Sequence, residues 1–157
     1  MKILLVEDDD NKRSNILSEI GNISNNNEIK TESSLISGLR QTRSWNPDLI
    51  ILDMTLPNYD GKSGQSTGQM HAFGGREFLK RIRRLDFKGR VVIVTQFESF
   101  GESSNPISLE DLMSEIQIDY PEYFLGYIYY HASISDWQEK LISIVTNFGE
   151  KVENFNR

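Results

Sequence analysis

Four short, almost continuous apolar runs set the limits on what this chain can fold into. Runs that are apolar at successive positions are typical of strands covered on both faces of a sheet. Between them apolar residues recur at helical spacing, as Ile16, Leu17 and Ile20 do. Strands that alternate with helices predict an α/β fold with a parallel sheet. The runs occupy residues 3–6, 48–53, 90–95 and 126–130.

A fifth, shorter strand and five helices complete the predicted pattern. Ser34 and Ser108 each precede a helical stripe and are candidate N-caps, while Ser135 opens the last helix. No internal repeat interrupts the alternation, so we expect residues 1–157 to form a single domain of five βα units. The predicted strands cover residues 3–6, 29–31, 48–53, 90–95 and 126–130, and the predicted helices include residues 11–20 and 76–85.

Composition and charge exclude several classes of protein. The chain has 157 residues, 38% hydrophobic and 25% charged, which is ordinary for one globular domain. Its formal net charge of -6 argues against nucleic-acid binding, and we expect the one basic cluster, residues 80–84, to be a solvated helix face. The absence of cysteine excludes a disulfide scaffold and a thiolate metal site but does not fix the compartment. Because the chain shows no export signal and no apolar run long enough to span a membrane, it is expected to be cytoplasmic.

Acidic residues stand where two of the predicted strands end. Glu7 and Asp8 follow the first apolar run, and Asp53 closes the run at 48–53. Ligands of an open parallel sheet bind beyond the carboxyl ends of its strands, so these carboxylates are expected to converge there. Carboxylates at such short distances from one another require a bound cation or a raised pKa. Together with Thr95 at a third strand end, they suit Mg²⁺ and a phosphoryl group.

Four motifs in order give the chain a family resemblance. They are ILLVEDD at the start, DLIILDMTLPNYDG in the middle, VVIVTQ at the fourth strand and GYIYY at the fifth. In order and spacing they resemble the receiver domain of two-component response regulators. The resemblance implies a flavodoxin-like, doubly wound, five-stranded parallel sheet of order 2-1-3-4-5 with helices on both faces. It also implies an aspartate that takes a phosphoryl group from a sensor kinase's phosphohistidine.

The resemblance assigns the acidic residues individual roles. Asp53 matches the phosphoacceptor, which acts as the nucleophile. Asp8 matches a direct Mg²⁺ ligand, Glu7 a ligand acting through water, and the Thr55 carbonyl the third protein ligand. Phosphoryl transfer depends mainly on positioning and charge neutralisation, which a bound Mg²⁺ beside the acceptor provides.

The switch residues match only in part. Thr95 matches the hydroxyl that turns toward the phosphoryl group, and Tyr127 matches the aromatic switch position, although a plain strand tyrosine fits equally. The family's fifth-strand lysine is replaced by Tyr130, followed by His131. Tyr130 offers one neutral hydrogen bond, and His131 is a cation only if its pKa is raised. Losing a charge-assisted bond worth about 1.5–3 kcal/mol should weaken phosphorylation or its readout.

Two insertions distinguish the chain from typical receivers. The Gly-rich stretch at 62–75 is expected to be a flexible loop that acts as a lid, a partner loop or a spacer, and its His71 as a surface histidine. The longer connection at 98–122 alters the fourth-helix region, which is part of the signalling surface in typical receivers.

Two functions of different classes remain open from the sequence. The first is a stand-alone receiver, phosphorylated on Asp53 with Mg²⁺ by a histidine kinase or phosphotransfer protein, which controls a separate protein partner. Its chemistry would be at most autophosphorylation from a phosphodonor. The second is a pseudo-receiver that acts without phosphorylation, through protein contacts or as a homodimer. The missing lysine and the insertions favour the second, and the intact acids and Thr95 favour the first.

Two enzyme classes fit less well. A haloacid-dehalogenase-like phosphatase would need a second aspartate where this chain has Thr55. A nucleotide-binding flavodoxin relative would need a glycine-rich phosphate cradle after the first strand, where Glu7 and Asp8 stand instead.

Overall fold

A computed structural model describes residues 1–59 and 70–156 of the chain, without the side chains of Met70 and His71. Strands and helices alternate along it as the sequence predicts. The strands are β1 (Lys2–Val6), β2 (Glu28–Glu32), β3 (Leu49–Leu52), β4 (Leu56–Pro57), β5 (Met70–His71), β6 (Arg90–Thr95), β7 (Ser99–Phe100), β8 (Ile107–Ser108) and β9 (Phe124–Tyr129). The helices are α1 (Asp10–Ile23), α2 (Leu35–Trp45), α3 (Gly74–Arg84), α4 (Leu109–Asp119) and α5 (Asp136–Phe155).

The central sheet has the predicted topology. Its five strands are all parallel and lie in the order β2-β1-β3-β6-β9, which is 2-1-3-4-5 when only these strands are counted. Val6 pairs with Leu52, and Leu52 pairs with Ile93. This register brings the residues that follow, Glu7 and Asp53 among them, to one edge of the sheet. The flavodoxin-like fold predicted from the sequence is therefore confirmed.

Two apolar cores cover the two faces of this sheet. Successive residues of β1 point to opposite faces, so Leu4 and Val6 pack with α2, α3 and α4, while Ile3 and Leu5 pack with α1 and α5. These four side chains are 0–1% exposed. Burial on both faces explains why β1, β3 and β6 read as nearly continuous apolar runs, whereas the more exposed β2 does not.

Side-chain caps fix where three helices begin. The Asp9 carboxylate accepts a hydrogen bond from the Lys12 backbone N–H at the start of α1, over 2.8 Å. Ser34 and Ser108 cap α2 and α4, as predicted, by accepting from the backbone N–H three residues further on. Ser135 precedes α5 without a side-chain capping bond. Within residues 1–59 and 70–156, no helix combines the length and apolar character needed to cross a membrane.

The predicted loop at 62–75 is wrong at its carboxyl end. Residues 60–69 lie outside the described part of the chain, as does the His71 side chain, but Gly74 and Gly75 already belong to α3. The Gly75 N–H donates to the Met54 carbonyl over 2.8 Å, and a Cβ at Gly75 would lie 3.0 Å from the Asp53 carbonyl oxygen. These glycines therefore allow the start of α3 to pack against the end of β3, a tertiary contact that composition does not reveal.

The insertion at 98–122 contains a short antiparallel hairpin, β7 with β8, followed by α4. The helix was predicted, whereas the two-residue strands were not. The Phe100 ring is buried and lies 6.3 Å from the Phe73 ring, measured between centroids. The α4 helix is tied to α3 by Arg76, which forms ion pairs with Glu115 and Asp119. The insertion is thus packed onto the α3 side of the sheet.

The basic cluster predicted to be a solvated face lies on α3. Arg81 forms an ion pair with Glu77 of the same helix, and Arg83 forms one with Glu122. Lys80, Arg83 and Arg84 are exposed.

Candidate functional site

Three carboxylates meet at the carboxyl edge of the sheet. Glu7 and Asp8 follow β1, Asp53 follows β3, and one carboxylate oxygen from each lies within 4.8 Å of the others. The backbone N–H of Asp53 donates to the Val6 carbonyl over 3.0 Å, which fixes the end of β3 beside that of β1. Glu7 and Asp53 are buried, and Asp8 is partly buried. The convergence expected from the sequence is what the structure shows.

Burial makes ionisation of these carboxyls unfavourable. It raises the pKa of Glu7 to about 7, the negative charge of Asp53 adds to the rise, and Lys12 opposes it. Burial also raises the pKa of Asp53 against the opposing charge of Lys12. The pKa of Asp8 is raised by burial and then by the neighbouring Glu7. A cation that enters this site would lower the free-energy cost of ionising these three carboxyls.

One cation of the site, Lys12 of α1, is not among the residues predicted from the sequence. Its side chain is 3% exposed, and its ammonium nitrogen lies 2.5 Å from Glu7 Oε1 and 3.3 Å from Asp53 Oδ1. The same nitrogen donates to the Val94 carbonyl over 2.9 Å and to Gln96 Oε1 over 2.8 Å. Lys12 therefore joins the acidic cluster to the end of β6.

A weak sequence signal for Lys12 did exist. The residue stands in the first turn of the first helix, directly after the acids at the end of β1. A cation is disfavoured there, because the helix dipole places positive charge at this end. A charge that contradicts a local preference is often a functional feature. Its direction depends on how α1 packs against the sheet, which the sequence pattern does not give.

The position where the resemblance to receiver domains implies a lysine holds a buried aromatic side chain. The Tyr130 backbone N–H donates to the Thr95 carbonyl over 2.7 Å, so the residue does stand at the end of β9. Its ring lies 4.8 Å from the Trp137 ring, and its hydroxyl oxygen accepts from the Asn15 side-chain amide over 2.8 Å. The Lys12 ammonium lies 5.8 Å from the centre of the Tyr130 ring. The tyrosine thus lies against the ammonium, and Asn15 satisfies its polar end.

The remaining predicted site residues are Thr95, Tyr127 and Thr55, and among them Thr55 contacts one of the acids. Thr95 is fully buried at the end of β6, and its hydroxyl oxygen accepts from the Phe97 N–H over 3.2 Å. Tyr127 is half-buried and packs on the core formed with α2, α3 and α4. The Thr55 N–H donates to Asp53 Oδ1 over 3.4 Å, while the role of its carbonyl as a metal ligand stays a prediction.

The donor set fits a divalent cation. Three carboxylates and one ammonium carry a formal charge of -2 when all are ionised, which is the complement of Mg²⁺. Among the described residues, Glu7 Oε1 is a buried oxygen that accepts no well-formed hydrogen bond, since its contact with Lys12 is an ion pair. Mg²⁺ takes oxygen ligands and commonly uses one or two carboxylates together with phosphate oxygens. Glu7, Asp8 and Asp53 are therefore suited to hold it.

Relatives with similar sequences cover nearly the whole chain. The chain is 37% identical over 139 residues to protein y4jR of Sinorhizobium fredii, with 88% of this chain and 92% of that protein covered. It is 30% identical to the Detocs response regulatory protein DtcB of Vibrio alginolyticus, over 91% of this chain and 98% of the relative. The DtcB protein of Enterobacter cloacae is 29% identical, over 93% of this chain and 99% of the relative. No family model matches the chain.

Solved structures of receiver domains share the fold. The CheY-like receiver domain protein of Methanospirillum hungatei superposes with a TM-score of 0.63 at 18% identity, covering 98% of this chain and 97% of that one. The phosphorylated cyanobacterial phytochrome response regulator RcpA gives a TM-score of 0.61 at 25% identity, over 96% and 94%. The Mn²⁺-bound response regulator Rcp1 gives a TM-score of 0.61 at 21% identity, covering 92% of this chain and 91% of that one.

Proposed function

This chain belongs to the receiver-domain family of response regulators, and we propose that it accepts a phosphoryl group on Asp53 with Mg²⁺ held beside it. One observation carries the proposal. The Asp53 carboxylate meets those of Glu7 and Asp8, with Glu7 and Asp53 buried, at the sheet edge where an open α/β sheet binds its ligands. The relatives named DtcB, which this chain matches over almost their full length, are response regulatory proteins.

The chemistry assigns the nucleophile to Asp53. One of its carboxylate oxygens forms a bond to phosphorus while the phosphorus–nitrogen bond of a phosphohistidine donor breaks, and the leaving imidazole nitrogen keeps that electron pair and takes up a proton from water. Mg²⁺, when bound by Glu7, Asp8 and Asp53, neutralises charge on the phosphoryl oxygens. Burial of Glu7 and Asp53 keeps these two carboxylates away from bulk water, which strengthens their electrostatic contacts.

Partners follow from the chemistry of the site. The donor is a histidine kinase or a phosphotransfer protein, because Asp53 needs a phosphoryl group on a good leaving group. The reader is a separate protein that recognises the surface around the ends of β6 and β9, which respond to the buried Thr95 and the half-buried Tyr127. We place this exchange in the cytoplasm.

The test is direct phosphorylation of the purified protein. With Mg²⁺ and acetyl phosphate, the intact mass should rise by one phosphoryl group, and the rise should disappear in Asp53→Asn and in the presence of EDTA. Asp10→Asn is the matched control, because Asp10 is an exposed carboxylate on the neighbouring turn, at the start of α1. A mass increase that persists in Asp53→Asn would contradict the proposal.

One observation favours the second function, a pseudo-receiver that binds partners without phosphorylation. The Lys12 ammonium already contacts Glu7 and lies 3.3 Å from Asp53, which neutralises part of the acidic pocket from inside the fold. In that case titration calorimetry would detect no Mg²⁺ binding and the mass would not change, although circular dichroism would show a folded protein.

A further inference from the structure

We infer that Lys12 supplies, from helix α1, the ammonium that receiver domains take from the end of the fifth strand, and that it acts on the phosphoryl group at Asp53. The inference rests on the proposed phosphorylation of Asp53. It assigns a catalytic residue to an element that does not carry one in the resemblance. It also explains how a chain with Tyr130 at the lysine position keeps a cation in the site.

The contacts of the Lys12 ammonium leave one of its hydrogen-bond donors available. An ammonium group has three N–H donors. Two of them are directed by the Val94 carbonyl at 2.9 Å and by Gln96 Oε1 at 2.8 Å. Glu7 Oε1 at 2.5 Å and Asp53 Oδ1 at 3.3 Å lie close to the ammonium as ion pairs, and neither accepts a well-formed hydrogen bond from it. A phosphoryl oxygen carried by Asp53 would give the third donor an acceptor.

The charge balance of the site also favours this role for Lys12. Lys12 is buried, and a buried ammonium is stable only when it is paired. Glu7 and Asp53 provide that pairing before phosphorylation. Once a phosphoryl group adds negative charge beside Asp53, the same ammonium neutralises it without moving to another part of the pocket. A charge-assisted hydrogen bond of this kind is among the stronger ones in proteins.

Hydrogen bonds connect the Lys12 ammonium to the end of β6. The two acceptors that hold the ammonium, Val94 and Gln96, flank Thr95 in sequence. If the ammonium shifts toward a phosphoryl oxygen, its hydrogen bonds to both neighbours of Thr95 change. The Thr95 hydroxyl is the group predicted to turn toward the same phosphoryl oxygen. Lys12 thereby links the modification at Asp53 to the strand end that carries Thr95.

The end of β9, from which receiver domains supply their lysine, carries no cation in this chain because Tyr130 stands there. Tyr130 occupies the end of β9, and its ring lies 5.8 Å from the Lys12 ammonium. A lysine side chain at position 130 would approach the space that the Lys12 ammonium already uses. The two arrangements are alternatives, and this chain has the α1 version.

The experiment compares Lys12→Met with the wild type in two measurements. Phosphorylation from acetyl phosphate at saturating Mg²⁺ should slow by roughly 10- to 100-fold, the factor expected for one charge-assisted hydrogen bond. Mg²⁺ binding, measured by titration calorimetry, should become tighter, because a competing cation has been removed from the carboxylates. These opposite changes separate a catalytic lysine from one that only neutralises Glu7. Lys140→Met is the matched control, since Lys140 is an exposed lysine on α5.

Two variants keep the test decisive. If Lys12→Met does not fold, Lys12→Gln replaces it, because a glutamine amide can still donate to Val94 and Gln96 without a charge. Lys12→Met combined with Tyr130→Lys should recover at least part of the phosphorylation rate by returning the cation through β9.

Three outcomes are separable. If wild type gains no phosphoryl group, the proposed function fails and this inference fails with it. If wild type is phosphorylated and the Lys12 variant is phosphorylated equally fast or faster with tighter Mg²⁺ binding, only the inference fails, and Lys12 is a competitor of the metal. A slower reaction with tighter Mg²⁺ binding supports the inference.

Discussion

The ammonium of Lys12 lies 5.8 Å from the centre of the Tyr130 ring. One residue comes from the first turn of α1 and the other directly follows the last strand of the sheet. A cation against an aromatic face is stabilised by the ring quadrupole, by about 2 kcal/mol or more when the pair is desolvated as it is here. The pair therefore forms one wall of the acidic pocket, with the positive charge turned toward Asp53.

The ring of Tyr130 should matter more than its hydroxyl. Tyr130→Phe keeps the ring beside Lys12 and loses only the hydrogen bond from Asn15, so we expect a cost of about 0.5–1.5 kcal/mol in the free energy of unfolding. Tyr130→Leu also loses the contact with Lys12 and the packing on Trp137, and should cost more. Urea denaturation monitored by circular dichroism measures both. An equal cost for the two variants would show that the ring contact contributes nothing.

Stability in metal-free buffer should fall as the pH rises from about 5 to about 8. The pKa of Glu7 is raised by burial from 4.5 to about 7, so between these two pH values the folded carboxyl still holds a proton that the unfolded chain has released. The stabilisation is complete below pH 4.5 and is lost as the pH passes 7, with a size of up to roughly 3 kcal/mol. Urea unfolding in EDTA at several pH values measures it.

Glu7→Gln provides the control for this pH dependence. The variant has no proton to release at position 7, so the difference in stability between wild type and variant should vary with pH while the contributions of other groups largely cancel. Addition of Mg²⁺ at pH 8 should restore stability to the wild type, because a ligand that binds only the folded state stabilises it. A wild-type curve parallel to that of the variant would contradict the raised pKa.

Asp8 should contribute to Mg²⁺ binding more than its exposed neighbours. It is the least buried of the three converging carboxylates and therefore the one most open to an entering ion. Asp8→Asn should weaken Mg²⁺ binding by roughly tenfold or more, since it removes a charged oxygen ligand. Titration calorimetry measures the change, and Asp10→Asn should bind Mg²⁺ as the wild type does.

Two glycines should respond to the same substitution with opposite signs. A Cβ at Gly89 would lie 2.6 Å from the Asp48 carbonyl oxygen and 2.7 Å from that of Pro47, so Gly89→Ala forces the start of β6 away from the start of β3. We expect a loss of about 1–3 kcal/mol. Gly21 is exposed in α1, and a Cβ at this position would meet no other part of the fold within 4 Å, so Gly21→Ala should stabilise the protein by up to about 1 kcal/mol. Thermal unfolding of the two variants side by side tests the pair.

Local patterns predicted the sheet strands and helices because each of them leaves a short-range signal. Continuous apolar runs marked β1, β3, β6 and most of β9, and serine caps marked the starts of α2 and α4. The hairpin formed by Ser99–Phe100 with Ile107–Ser108 was not predicted, because strands of two residues have no periodicity to detect. Gly74 and Gly75 were assigned to a loop, because glycine reads as a breaker until the neighbouring strand end is known.

The sequence by itself determined the sheet, its strand order through the family resemblance, and the meeting of Glu7, Asp8 and Asp53, since acids that follow parallel strands necessarily reach the same edge. Only the tertiary structure decided where the cation of that pocket comes from. The direction of a lysine side chain on α1 depends on how the helix packs across the sheet, and that packing depends on contacts as distant in sequence as Lys12 with Val94. Such a contact joins residues 82 positions apart, which no local pattern records.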